Sequence, residues 1–334
     1  MTLVQEPTLT QRIGLAAMRP ARSAWGGFLL RRVLSLVLSF AVLIVLTFLI
    51  VQLLPGDPAL VVAGSEASPE QVERVREQLG LNQPVLVQFW DYLRGVLTGD
   101  LGTSFASNEA VGTIILNRLP YTASIAGLAM ALVLVVALPL GMIVGVFTRG
   151  GRARWLDTVF GIATGFFSSV PQYVLGTLLV TVFAVLLGLF PAAGVNGPGS
   201  YVLPTIALAV APTCTIARVV RRETAVVLEQ DYFRTARGWR LSHARLYLRY
   251  ALPNILTVTL TLSGLLLAGM LGGAIIMETV FAWPGLGRGI VAAILSRDYP
   301  VIQGIILVLG MLATALIILV DVLLALIDPR ARKS

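Results

Sequence analysis

The stretch DYFRTARGWRLSHARLYLRYALPN, residues 231–254, gathers five arginines and the only histidine into a chain that is otherwise mostly apolar. Guanidinium groups recognise carboxylates and phosphates, and arginines interleaved with tyrosine and tryptophan suit a macromolecular partner or a layer of lipid headgroups. Bond-making chemistry has far less to draw on. Lys333 is the only lysine, so the Gly-Lys-Ser/Thr element that cradles nucleotide phosphates is missing. His243 and Cys214 stand alone on different segments and make neither a zinc site nor a Cys-His pair. The inventory argues for recognition and against an enzyme.

The elements that carry this stretch are set by hydropathy. The 334 residues are 57% hydrophobic and 13% charged, with a mean hydropathy of +0.86, which excludes a water-soluble globule. Six long apolar runs stand out, at 33–54, 121–147, 159–190, 201–217, 254–277 and 301–327. A helix needs about 20 apolar residues to cross the hydrocarbon core. The expected fold class is an all-α integral membrane protein with six spans. Pro171 predicts a kink or tilt in the third, while the fourth is short and holds Pro204 and Pro212. The first run is too long for a signal peptide and lacks a small-residue cleavage site, so it reads as a retained anchor. Cys214 falls in the fourth run, as a small buried apolar residue with no disulfide partner.

Basic residues give the orientation. With both termini on one side, segments 1–32, 148–158, 218–253 and 328–334 hold 19 of the 25 lysines and arginines, which marks that side as cytoplasmic. The pI of about 10.2 therefore reports topology. Nucleic acid is not an expected partner, because the arginines are spread over several short loops instead of forming one patch.

Between the first two spans, SPEQVERVREQLG opens with Ser68, Pro69 and Gln71 in a capping-box pattern. PVLVQFWDYLRGVL then sets Leu86, Phe89, Trp90, Leu93 and Leu97 along one side. Both read as short amphipathic helices on the outer membrane surface or against other spans. On the inner side, a helix starting near Asp231, a turn at 238–241 and a helix capped by Ser242, with Leu241 and Leu246 as a hydrophobic staple, make a compact knob. By itself the knob fits equally an interfacial helix pair on lipid phosphates and a dock for a cytoplasmic partner. The apolar runs contain one ionisable residue, Asp321, near the cytoplasmic end. A transporter-shaped chain with no mid-membrane ion partner and no nucleotide site calls for an external motor, which favours docking.

The residues Arg234-Thr235-Ala236, followed by a turn and Leu252-Pro253, resemble the EAA loop of permease subunits of bacterial ABC importers. Aligned on Leu252-Pro253, Ala236 takes the place of the second family alanine, and the family glycine falls on Arg240. The turn either has moved to Gly238 or is made at Arg240. LLPGDP (53–58), GDLGTSF, ETVFAWPGLGRG (278–289) and RDYPVIQG (297–304) narrow the resemblance to B-type permeases of the dipeptide/oligopeptide/nickel group, over about 31–329. It implies the type I importer permease fold. The organisation would be a basic tail (1–30), a first span (31–54), an outer loop (55–120), a five-helix core (121–329) with its coupling loop at 231–253, and a tail (330–334).

The same resemblance implies partners: a second homologous permease, two ATPase subunits that bind ATP and Mg, and an extracytoplasmic substrate-binding protein, with no cofactor in this chain. Cargo would be a peptide, with nickel or another small solute as the alternative; an autonomous secondary transporter is the alternative of a different class. Coupling to the ATPase would fall on Arg234, Thr235, Ala236, Gly238, Trp239, Arg240, Leu241, Leu246, Leu252 and Pro253. Trp283, Pro284, Gly285 and Arg288 form either an interfacial hairpin or an outer gate and binding-protein dock. Ser168, Ser169 and Gln172, beside Pro171, are candidates for the substrate path.

Overall fold

The computed structural model describes residues 21–53, 57–64, 66–239 and 241–327. The expectations for 1–20, for Leu54, Pro55 and Gly56 of the LLPGDP string, for Arg240 and for the 330–334 tail lie outside the described residues. Hydrocarbon offers the backbone no hydrogen bonds, so each crossing must satisfy its own, and the described chain is nearly all helix. Five helices are long and apolar enough to cross a membrane, and a sixth crossing results when one sharply bent pair is taken as a single span.

Helix α1 (Ala21–Leu53) begins inside the segment read as a tail, because Arg22, Arg31 and Arg32 interrupt the apolar run without interrupting the helix. Arg32 pairs with Asp321 at 2.8 Å, so the one acid of the apolar runs has an arginine beside it. In the outer loop, α2 (Pro58–Ala63) is tied to α3 (Pro69–Gln78) by the Asp57–Arg76 ion pair, which holds the Arg76 guanidinium pKa above its ordinary value. The reciprocal Ser68–Gln71 capping box is present. Helix α4 (Val85–Thr98) leans on α1: Phe89 meets Phe48 edge-on at 5.2 Å, and Tyr92 shares a 2.8 Å hydrogen bond with Thr47. Burial raises the Tyr92 phenol pKa, and the bond to Thr47 opposes the shift. Leu86, Trp90 and Leu97 stay exposed along one edge of α4.

The second span, α5 (Val111–Thr148), starts well before residue 121, since Asn117, Arg118 and Pro120 hide a helix start in hydropathy but are tolerated in its first turns. The third breaks at Val170–Pro171 into α6 (Arg154–Ser169) and α7 (Gln172–Leu179), the latter continuing through a π-turn at Val180–Leu186, with a 91° bend. The expected kink is thus a full break. Helix α8 (Val202–Glu229) overturns the expectation of a short fourth span: it runs through Pro212 and on past Arg218, Arg221 and Arg222, Arg221 being neutralised by Asp157 at 2.5 Å.

Helices α5 and α8 form the central pair. A Cβ on Gly141 would lie 2.5 Å from the Ala217 carbonyl oxygen, and one on Gly145 would lie 2.8 Å from that of Arg221. This Gly-xxx-Gly face lets two backbones touch where lipid supplies no hydrophobic drive for association. After α9 (Asp231–Gly238), the chain enters α10 (His243–Val280), which passes through a π-turn at Tyr247–Ala251. That wide turn precedes Pro253, whose ring and missing N–H disrupt regular i to i−4 bonding. Helix α11 (Leu286–Ser296) and the last span α12 (Tyr299–Ile327) complete the chain.

Candidate functional site

The inner knob consists of α9 and the first turns of α10, so its second half is the root of a span instead of a free-standing helix. Phe233 is fully buried; Ala236, Leu246 and Ala251 are buried with it, and all four belong to the same core as the spans. Phe233 lies 6.1 Å from Tyr247, and the Arg237 guanidinium sits 5.3 Å over the Phe233 ring. Displacement of the knob must therefore displace α8 and α10. On the other face, Tyr232, Arg234, Thr235, Gly238 and Trp239 are exposed, Trp239 at 62%. Partial burial raises the Tyr232 phenol pKa.

The ten expected coupling residues therefore divide. Ala236 and Leu246 position the knob from within; Leu241 and Leu252 are half-buried; Pro253 is exposed. Ser242 occupies the N-cap position, yet its side chain makes no capping bond. Gly238 is the last residue of α9, has no positive φ, and has open space where a Cβ would stand. A turn relocated to Gly238 by left-handed backbone is not what the chain adopts.

The outer hairpin differs most from expectation. Trp283 is fully buried, with its indole N–H donating to the Tyr121 carbonyl at 3.2 Å and its ring edge-on to Tyr201 at 4.7 Å. It is neither at the lipid interface nor open to a docking protein. The organiser is Glu278, fully buried at the end of α10, which sequence reasoning passed over. Its carboxylate accepts from the Thr122 hydroxyl at 2.6 Å and from the Arg288 N–H at 3.0 Å. Thr122 in turn accepts from the Leu286 N–H at 2.8 Å. Gly285 and Gly287 both pack directly on the Glu278 carboxylate, where a Cβ would collide. Arg288 is exposed and donates to the Ala282 carbonyl at 2.9 Å. Pro284, half-buried, lines an open cleft with Glu109, Arg118 and Tyr121.

A second buried acid, Asp298, joins two strings remote in sequence. It accepts from the Ser104 hydroxyl at 2.5 Å and from the N–H groups of Phe105 and Ala106 at 3.1 and 3.3 Å. The GDLGTSF segment is thereby fastened to the start of α12.

At the broken span, Ser168 is half-buried and accepts a hydrogen bond from Arg218 at 3.2 Å, while Ser169 is exposed. Both serines also bond back to the Gly165 carbonyl. Gln172 is half-buried, its side-chain oxygen close against Gly273 of α10, where a Cβ would come within 2.9 Å. The three expected path residues thus share the break, and Arg218, which lies just past the fourth apolar run, joins them. Among the described residues, no group of three His, Cys, Asp or Glu side chains is placed to hold a metal.

Five helices able to cross a membrane, a bent pair that offers a sixth crossing around polar side chains, and a knob packed into the core of the spans mark a multi-pass membrane protein. The chain belongs to the family of binding-protein-dependent transport system inner membrane components, whose model matches residues 137–333; the model for the N-terminal part of such components matches residues 27–126. It is 42% identical to a protein provisionally named as a peptide transport system permease in Brucella abortus (strain 2308), over 91% of this chain and 98% of the relative. It is 39% identical to the glutathione transport system permease protein GsiC of Salmonella typhimurium, again over 91% and 98%. Its fold is similar to that of a chain of the MetNI methionine ABC transporter in an inward-facing conformation, with a TM-score of 0.53 and 19% identity, covering 64% of this chain and 96% of that one. The protein is a permease subunit of the ABC importer class, whose members work with ATPase and binding-protein partners.

Proposed function

We propose that this subunit forms half of the translocation path of an ATP-powered peptide importer. It pairs with a second homologous permease, rests on two ATPase subunits that bind ATP and Mg, and receives cargo from an extracytoplasmic binding protein. Both termini and the knob face the cytoplasm, and residues 231–253 fit a groove on one ATPase. The peptide cargo is supported by the names of the relatives, glutathione itself being a tripeptide. The observation that carries the coupling is a knob fused to the core by Phe233 and Leu246 while Tyr232 and Trp239 stay exposed. Closure of the ATPases would then move α8 and α10 as a body and alternate access.

The test is recruitment of the ATPase subunits to membranes by a Tyr232→Asp, Trp239→Asp double variant. Recruitment should fall sharply while the permease remains folded, because both side chains are exposed. Undiminished recruitment, with ATP hydrolysis still responsive to loaded binding protein, would remove the coupling role. Accumulation of solute against a gradient by this chain without ATPases would instead favour a secondary transporter.

A further inference from the structure

Arg218 lies within the candidate span 198–229, 11 residues before the end of α8. A charge within a span is expensive unless it is paired or faces a water-filled cavity. Two other arginines of the spans are paired, Arg32 with Asp321 and Arg221 with Asp157. Arg218 is half-buried and has no carboxylate within ion-pair distance among the described residues. One N–H donates to Ser168. A guanidinium offers five such donors, so most of them have no acceptor among the side chains described.

The direction of the side chain separates this arginine from a lipid-facing one. An arginine bound to lipid phosphate extends toward the nearer membrane surface. Arg221 reaches Asp157 in the first turn of α6. Arg218, one turn earlier on α8, reaches Ser168, about 16 Å further along α6 and away from the cytoplasmic end. It thus meets the span where the span breaks. Pro171 has no N–H, and the 91° bend leaves the last carbonyls of α6 without the helical bonds a continuous span would give them. Bare backbone at membrane depth is tolerated only inside protein or beside water. A broken span with a guanidinium that no described carboxylate neutralises is suited to an anion.

We propose that Arg218, seated on Ser168, binds a carboxylate of the peptide during its passage through the membrane. This rests on the reading of the subunit as a peptide importer. The site would favour cargo with a free C-terminal carboxylate, independently of any selection made earlier by the binding protein.

The test uses the assembled permease–ATPase complex in nanodiscs, without binding protein or nucleotide, titrated with trialanine and with trialanine amide. Wild-type complex should bind the free acid more tightly, and Arg218→Gln should erase the preference by weakening acid binding about tenfold or more, the scale of a charge-assisted hydrogen bond. Arg218→Lys should retain part of the preference. An unchanged preference in Arg218→Gln overturns the proposal, as does wild-type complex that binds neither ligand. If Arg218→Gln prevents assembly while Arg218→Lys permits it, the charge pairs with the second permease; if both prevent assembly, the residue is structural. Loss of the preference in phosphatidylglycerol discs but not phosphatidylcholine discs would assign the guanidinium to lipid. ATP-dependent uptake of a peptide mixture by the complete wild-type system separates the two readings. Uptake indifferent to Arg218→Gln sinks only this inference, and absent uptake sinks the peptide importer itself.

Discussion

Glu278 and Asp298 each fasten segments that hydropathy alone leaves as loops. Glu278 accepts from Thr122 on α5 and from the Arg288 N–H of α11, so it joins α10 to both helices and closes the hairpin between α10 and α11. Replacing it with alanine leaves buried donors without an acceptor, at a cost of about 1–3 kcal/mol. Glu278→Ala should lower the thermal midpoint of the purified complex more than Glu278→Gln, which keeps one side-chain oxygen; equal midpoints for the two would rule out the clamp. Neither acid was singled out in the sequence. Glu278 falls one residue past an apolar run, and Asp298 precedes another, so both read as outer-loop charges. Their burial depends on partners more than 150 residues away. The ETVFAWPGLGRG and RDYPVIQG strings were visible as motifs, but their chemistry required contacts that only the fold supplies.

Among the elements, those with strong local signals came through. Ser68 and Gln71 announce α3 by a capping box that the chain forms, and Pro171 announces the break between α6 and α7. Helix α8 was misjudged because charge counts against a span in hydropathy but not against a helix, and Asp157 supplies the charge that Arg221 needs. The close approach of α5 and α8 was legible as Gly-xxx-Gly only once the facing helix was known. Gly141→Ile should therefore cost about 1–3 kcal/mol through overpacking, measured as a lower thermal midpoint and reduced yield of folded complex. Gly238→Ala makes the opposite case. This glycine ends a helix with open space at its Cβ position, so alanine should be neutral or add up to about 1 kcal/mol, with transport unchanged. A marked loss of transport would mean that the coupling turn needs glycine there. Leu246→Asp would bury a charge in the core shared with the spans and should prevent folding, which makes it a poor probe of docking; Trp239→Asp does not carry that defect.

For the molecule as a whole, the arrangement matters as a lever. The knob is continuous with α10, and α10 carries Glu278 and the outer hairpin at its far end. A push on α9 therefore reaches the hairpin at the far end through one helix about 57 Å long. That account depends on which side the knob faces, and the charge asymmetry makes a definite prediction. Cys214 is buried within α8, so a Cys214→Ala background removes the native thiol with little change at the surface. Into it, Leu97→Cys at the end of α4 and Trp239→Cys after α9 each place a thiol at an exposed position. In right-side-out vesicles, a membrane-impermeant maleimide should label the first at once and the second only after permeabilisation. The reverse pattern would invert the protein and detach the knob from any cytoplasmic motor. Labelling of both without permeabilisation would mean an even number of crossings between them, and would leave the bent pair α6 and α7 as a re-entrant segment instead of a span.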